Sequence, residues 1–172
     1  HLTLLDSSEY NLFRIDLEVG NRFSEITRST IIANVRDSAK VEEIFMLENP
    51  EIVFHAAALK HVPLVEANVL EGIATNVFGT LNVAKASLKS KADTFVQIST
   101  DKAVNPTNVM GSTKRLAEIY CQTLGMIKNS SQDTTFVTVR FGNVLGSTGS
   151  VVEIFRNQLA RGGPLTVTHP DM

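Results

Sequence analysis

The 172-residue chain predicts an α/β fold with a doubly wound parallel sheet. Two observations carry this. Five short apolar runs of strand length alternate with stretches whose apolar residues repeat at helical spacing, and each parallel return needs a right-handed crossover of that kind. The third run, residues 51–58, has a nearly unbroken apolar interior, as expected where both faces of a parallel sheet are covered.

The elements follow in order. Residues 2–5 read as a strand ending in Asp6, and Ser7-Ser8-Glu9-Tyr10 then looks like an N-cap for a helix whose apolar side carries Leu12, Ile15 and Leu17. Residues 30–35 form a second strand. Arg36-Asp37 leads from it into a helix with Val41, Ile44, Phe45 and Leu47 inward, stopped by Asn49-Pro50. The third strand ends in Ala56-Ala57-Ala58, small side chains that let a flat ligand approach the backbone, although plain packing explains them equally. Residues 63–88 are helical, with Gly72 and Gly79 as weak points and Asn76 among packable neighbours. A fourth strand at 94–98 leads to a polar turn, and the helix beyond it has the stripe Leu116, Ile119, Tyr120, Thr123 and Leu124. A fifth strand at 134–141, a loop at 142–149 and a helix at 151–159 complete the order, the last ending at Gly162-Gly163-Pro164.

Composition narrows the class. With 43% hydrophobic and 20% charged residues the chain is an ordinary globular domain, neither disordered nor fibrous. The net charge of −2 and scattered Lys and Arg offer a nucleic acid backbone nothing to hold. No apolar run approaches the ~20 residues of a membrane span. A single cysteine, Cys121, excludes an internal disulfide and fits a reducing compartment, with the cytoplasm as the default location. The chain opens inside a strand-like run and stops without a closing signal, so it reads as a piece of a longer protein; no signal peptide or lipidation signature is visible.

Polar chemistry gathers between Ser99 and Arg115, where the fourth strand ends, and ligands of open α/β sheets bind beyond such ends. Met110 and Lys114, four apart, share a helix face that looks back at that strand end. Lys114 either hydrogen-bonds a cofactor ribose or is an exposed helix lysine. Asp101 and Lys102 either divide acid and base roles or form a solvated turn pair. Ser99 and Thr100 either bind a substrate oxygen or satisfy the turn backbone. Asp6 and Asp37, each following a strand, either meet the adenosine of a dinucleotide or cap the next helix. No Gly-x-Gly-x-x-Gly occurs; in this fold it would precede Asp6 by about 20 residues, ahead of His1. His55 reads as a core residue, His61 and His169 have no partners at ligand spacing, and no metal site is expected. Cys121 reads as packing.

Four segments, Phe54-His55-Ala56-Ala57-Ala58-Leu59-Lys60-His61-Val62-Pro63, Thr75-Asn76-Val77-Phe78-Gly79-Thr80, Ser99-Thr100-Asp101-Lys102-Ala103-Val104-Asn105-Pro106 and Arg140-Phe141-Gly142-Asn143-Val144-Leu145-Gly146-Ser147, resemble the nucleotide-sugar 4,6-dehydratases of the capsular polysaccharide and flagellin-glycosylation type. These are extended short-chain dehydrogenase/reductases acting on UDP-N-acetylglucosamine, and the resemblance covers nearly the whole chain. It implies a Rossmann-like NAD-binding portion at 1–141, lacking its first strand and glycine loop, and the start of a substrate-binding portion at 142–172. It also implies NAD as cofactor, a UDP-sugar substrate, a homo-oligomer, and a full-length protein with transmembrane helices ahead of a catalytic domain on the cytoplasmic side.

By the same resemblance Asp6, Asp37, Ala56, Ala57, Ala58, Lys60, Asn76 and Lys114 bind the cofactor. Thr100 binds the sugar C4 oxygen, Asp101 protonates the departing C6 hydroxyl, and Lys102 removes the C5 proton. Ser99, Arg140, Asn143, Ser147 and His169 bind substrate. The superfamily's tyrosine is Met110 here, as in one branch of these dehydratases, and a thioether cannot ionise, so the group that deprotonates the C4 hydroxyl stays open. The alternatives are a nucleotide-sugar epimerase and, for the piece as given, a non-catalytic nucleotide-sugar-binding fragment.

Overall fold

In the computed structural model, which describes residues 1–127, 134–142, 144 and 151–167, β1 (Leu2–Asp6) and β2 (Arg28–Ile32) pair in parallel, Leu2 opposite Arg28 and Asp6 opposite Ile32. α1 (Glu9–Arg22) crosses between them, its first turn capped by the Ser8 side chain, which accepts from the Asn11 N–H. β2 starts and ends earlier than the pattern predicts. Ala33 still donates to the Asp6 carbonyl, and Val35 then turns into the core.

β3 (Ile52–His55) pairs in parallel with β4 (Thr94–Thr100), and β5 (Thr135–Phe141) lies on the other side of β4. Among the described residues the five strands therefore form two sheets, β1-β2 and β3-β4-β5, instead of the one expected. The doubly wound order 3-2-1-4-5-6 has one more strand between the two edges left open here, and the described residues supply none there. β3 also departs from its prediction. It is shorter, and it alternates: Val53 and His55 are buried while Ile52 and Phe54 are 57% and 71% exposed, because the described elements cover only one of its faces.

α2 (Ser38–Glu48) is capped by Asp37, whose carboxylate accepts the Lys40 N–H at 3.0 Å, and it ends where Asn49 takes a left-handed conformation before Pro50. The expected single helix at 63–88 is segmented. α3 (Val62–Ala67) and α4 (Val69–Gly72) meet at the non-helical Asn68, a π-helical stretch runs from Ile73 to Gly79, and α5 (Thr80–Lys89) completes it. Gly79 is a point of close approach, since a Cβ there would press on Val35 at 2.7 Å.

The core joins Val41 and Phe45 of α2, Val53 of β3, Val83 and Ala84 of α5, and Phe95 of β4 to Cys121 of the next helix. Phe95 stacks on Phe136 at 5.3 Å and is fully buried, so truncating it to alanine would cost about 3–5 kcal/mol. α6 (Val109–Met126) corrects the predicted stripe: Leu116 and Ile119 are exposed, and the buried face is Met110, Gly111, Thr113, Lys114, Ala117, Glu118 and Cys121. Hydrophobicity misses this face because three of its members are polar and each finds a partner.

By contact the chain forms two units, His1–Arg140 and Phe141–Met172. In the second, α7 (Val151–Ala160) is followed by a turn held by the Gln158 side chain, which donates to the Thr166 hydroxyl and accepts its N–H. No helix among the described residues is long and apolar enough to cross a membrane.

Candidate active site

β4 runs two residues past its predicted end, so Ser99 and Thr100 close the strand and Asp101–Ala103 forms a 3-10 turn at its carboxyl edge. The Thr100 hydroxyl donates to Asp101 Oδ1 at 2.9 Å and accepts the Lys102 N–H at 3.4 Å. Lys102 Nζ donates to the same Asp101 oxygen at 3.1 Å. These hydrogen bonds, Thr100 first and Lys102 next, hold the Asp101 carboxyl below the usual carboxylate range. It is therefore charged near neutral pH, and both Asp101 and Lys102 are open to solvent.

The first turn of α6 locks onto this corner. Asn108 caps the Gly111 N–H at 2.8 Å, and the Glu66 carboxylate accepts the Val109 N–H at 2.6 Å. A Cβ on Gly111 would overlap the Lys102 carbonyl oxygen. Met110 is buried. Lys114 donates from Nζ to the Ile98 carbonyl at 2.8 Å, which excludes the exposed-lysine reading. Burial pushes its amine down to about 8, against the opposing charge of Glu118.

Asn76, expected on the cofactor, is buried in the π-helical stretch with its amide fully engaged. Its oxygen accepts the Leu59 N–H at 2.8 Å; its nitrogen donates to the Leu59 carbonyl at 3.0 Å and to the Thr113 hydroxyl at 2.9 Å. It thereby pins the segment after β3, where Ala56, Ala57 and Lys60 are exposed and Ala58 is half-buried. Asp37 serves its helix as a cap, and Asp6 accepts the Ser8 N–H at 2.7 Å in the turn after β1.

His55 is the core residue expected, with Nε2 at 3.0 Å from the Thr80 hydroxyl and its ring against Phe95; burial, then the Lys114 charge, lowers it to about 3. Cys121 is buried in the core, and burial pushes its thiol up to about 12.

Glu118 is a residue that the sequence pattern does not single out; its signal is its place one turn beyond Lys114. It is fully buried, accepting from Arg140 Nε at 2.9 Å, Arg140 Nη2 at 2.6 Å and Arg115 Nη1 at 3.0 Å. Burial pushes its carboxyl up, but Arg140, Ser99 and Arg115 outweigh it and hold it at about 2. The buried Ser99 hydroxyl adds to this although it meets no partner at hydrogen-bond geometry among the described residues. Arg140, expected on substrate, thus commits two nitrogens to Glu118. Asn143, Ser147 and His169 lie outside the described residues. A separate groove lined by Glu66, Ile73, Val77, Ser112, Thr113 and Leu116 includes neither Asp101 nor Lys102.

The family described as polysaccharide biosynthesis protein matches residues 1–172. The chain is 46% identical over 172 residues to the capsular polysaccharide biosynthesis protein CapD of Staphylococcus aureus, covering 99% of this chain and 28% of that protein. It is 43% identical over 141 residues to a UDP-glucose 4-epimerase of Rickettsia canadensis (strain McKiel), covering 82% of this chain and 40% of the epimerase. The solved structure of Pen from Bacillus thuringiensis superposes with a TM-score of 0.86 at 39% identity, over 98% of this chain and 51% of that one. The same fold holds NAD in a Thermus thermophilus UDP-glucose 4-epimerase, TM-score 0.73 and 19% identity over 96% of this chain and 64% of the other. The chain thus spans between about a quarter and two thirds of the proteins it matches.

Proposed function

The chain belongs to the polysaccharide biosynthesis protein family, and from that premise we propose that it carries the catalytic corner of an NAD-dependent UDP-N-acetylglucosamine 4,6-dehydratase. The observation that carries the reading is the Thr100-Asp101-Lys102 cluster at the carboxyl end of β4, with the Lys114 turn of α6 packed against it. A C4 epimerase needs no acid at C6 and no base at C5, so an acid and a base side by side favour elimination.

The residues present fit a dinucleotide: Ala56 and Ala57 leave the backbone after β3 open, and a buried cation, Lys114, stands at the neighbouring strand. Lys114, Lys60, Asp6 and the Ala56–Ala58 backbone would hold NAD, with Asn76 setting the shape of that segment. Bound NAD would accept a hydride from C4 of the sugar and return it at C6. Asp101, held as a carboxylate, accepts the proton leaving the C4 hydroxyl, with Thr100 hydrogen-bonded to the same oxygen. Lys102, open to solvent, gives up its proton there and as the free amine takes the C5 proton. Asp101 then gives its proton to the C6 hydroxyl, which leaves as water, and Lys102 returns its proton to C5. The balance is loss of one water, and no ionisable group is needed at Met110.

Ser99, Asn143, Ser147 and His169 are proposed to contact the UDP-sugar, within a homo-oligomer whose full-length chain is anchored to the membrane on its cytoplasmic side. The test mixes UDP-N-acetylglucosamine and NAD with the full-length protein and follows the sugar by NMR. A 4-keto-6-deoxy product is expected; an unchanged sugar or a C4 epimer alone overturns the reading. The 43% identity to an epimerase makes the epimer the outcome to watch.

A further inference from the structure

We infer that Glu118 is a positioning residue of this active site: from one buried carboxylate it fixes the Lys114 turn of α6 and the Arg140 end of β5. The inference rests on the dehydratase reading for the role of Lys114, and on geometry for the rest.

A carboxylate buried between a helix and a sheet is costly, and an apolar side chain of similar size would often stabilise the fold as well or better. Glu118 meets that cost with a saturated set of donors. Arg140 grips both its oxygens in a two-point fork, and Arg115 adds a third hydrogen bond from its own helix. The fork is directional, so it fixes the Arg140 end of β5 against α6. On α6, Glu118 lies one turn from Lys114 on the same buried face, so its charge acts on the amine through a dry interior.

The charged and titratable groups around Lys114 are few. Among the described residues, His55 faces it from β3 and is neutral; Glu118 faces it from α6; β4 supplies the Ile98 carbonyl; Asp101 and Lys102 occupy the adjoining turn. Removing Glu118 therefore removes the one anion that supports a protonated Lys114 from within the helix.

The test uses the full-length protein and Glu118→Gln, with Glu118→Asp and Arg140→Lys beside it. The Lys114 amine is titrated by NMR with 13C at its Cε, and kcat and KM for UDP-N-acetylglucosamine are measured against pH. For Glu118→Gln we expect Lys114 to lose its proton at lower pH, kcat to fall about 10²-fold with the alkaline limb moved to lower pH, and KM to change far less. Glu118→Asp should recover part of the loss, and Arg140→Lys, which keeps the charge but not the fork, should lower kcat without moving Lys114. If Glu118→Gln fails to fold, the aspartate and lysine variants carry the test through kcat against KM: a fall in kcat with KM little changed supports the inference, and activity lost only in proportion to folded protein overturns it. An unmoved Lys114 titration, with activity lost only in proportion to folded protein, overturns the inference. A wild-type protein inactive on UDP-N-acetylglucosamine whose Lys114 still shifts in Glu118→Gln sinks the dehydratase reading and leaves the Glu118 coupling standing.

Discussion

Gly111 meets the carbonyl of Lys102 so closely that no methyl group fits between them. Replacing a helical glycine by alanine ordinarily gains about 0.5–1 kcal/mol. Here overlap with rigid backbone, worth about 1–3 kcal/mol, decides the sign. Gly111→Ala is expected to lower the melting temperature and to cut kcat by more than the loss of folded protein explains. An alanine variant with full activity would mean that the 3-10 turn yields freely.

Asp101→Asn separates chemistry from folding. Asp101 is exposed and serves no core contact, so the variant should melt within a degree or two of wild type. Its turnover should fall by about 10²–10⁴. Equal losses of melting temperature and turnover would count against the proton-carrier role.

Asn76→Ala removes the partner of the Leu59 N–H and of the Leu59 carbonyl, at about 0.5–1.5 kcal/mol for each hydrogen bond, while the Thr113 hydroxyl keeps its bond to the Met110 carbonyl. Because the freed segment follows Ala56–Ala58, the affinity for NAD, measured by calorimetry on the full-length protein, should weaken with it. Undiminished NAD affinity would show that the Leu59 clamp serves stability alone.

Acid should destabilise the fold in two stages. His55 is held at about 3 against an ordinary 6.5, so below pH 6.5 the unfolded chain takes up a proton that the folded chain refuses, and stability falls as pH drops toward 3. Glu118, held at about 2 against 4.5, adds a loss of the same sign between those two values. Urea midpoints should therefore decline from about pH 6.5 downward, and His55→Gln should flatten the first part. A midpoint constant from pH 7 to 4.5 would contradict the buried, neutral His55.

Met110→Tyr is expected to lower activity. Met110 is only 3% exposed, so a rigid, larger ring must displace its neighbours beside the Asp101 corner. A sharp rise in turnover would show instead that the oxidation step lacks a base which a phenol supplies.

Much of this was legible from residue order. The alternation of strands and helices, and the crowding of Ser99 to Lys114 at a strand end, follow from local pattern, and His55 and Cys121 took their core places because strand and helix periodicity put them there. What pattern could not show depended on distant partners. Glu118 reads as a solvated helix acid until Arg140, 22 residues on, is seen to fork onto it. The α6 stripe misled because Thr113, Lys114 and Glu118 are buried polar groups satisfied from other elements. Asp37 shows its capping role only once its contact with the Lys40 N–H is seen.

The π-helical stretch from Ile73 to Gly79 also makes chain length part of the site. A π turn holds an extra residue without breaking the helix. Deleting one residue there would let an ordinary α-helix close, and a helix advances about 100° per residue. Asn76 and Thr80 could then no longer face Leu59 and His55 together with α3 and α5 in place. Substitutions along this rod have room to vary, but its length works as a gauge between the Leu59 segment and the core, and a one-residue error would be read at both ends.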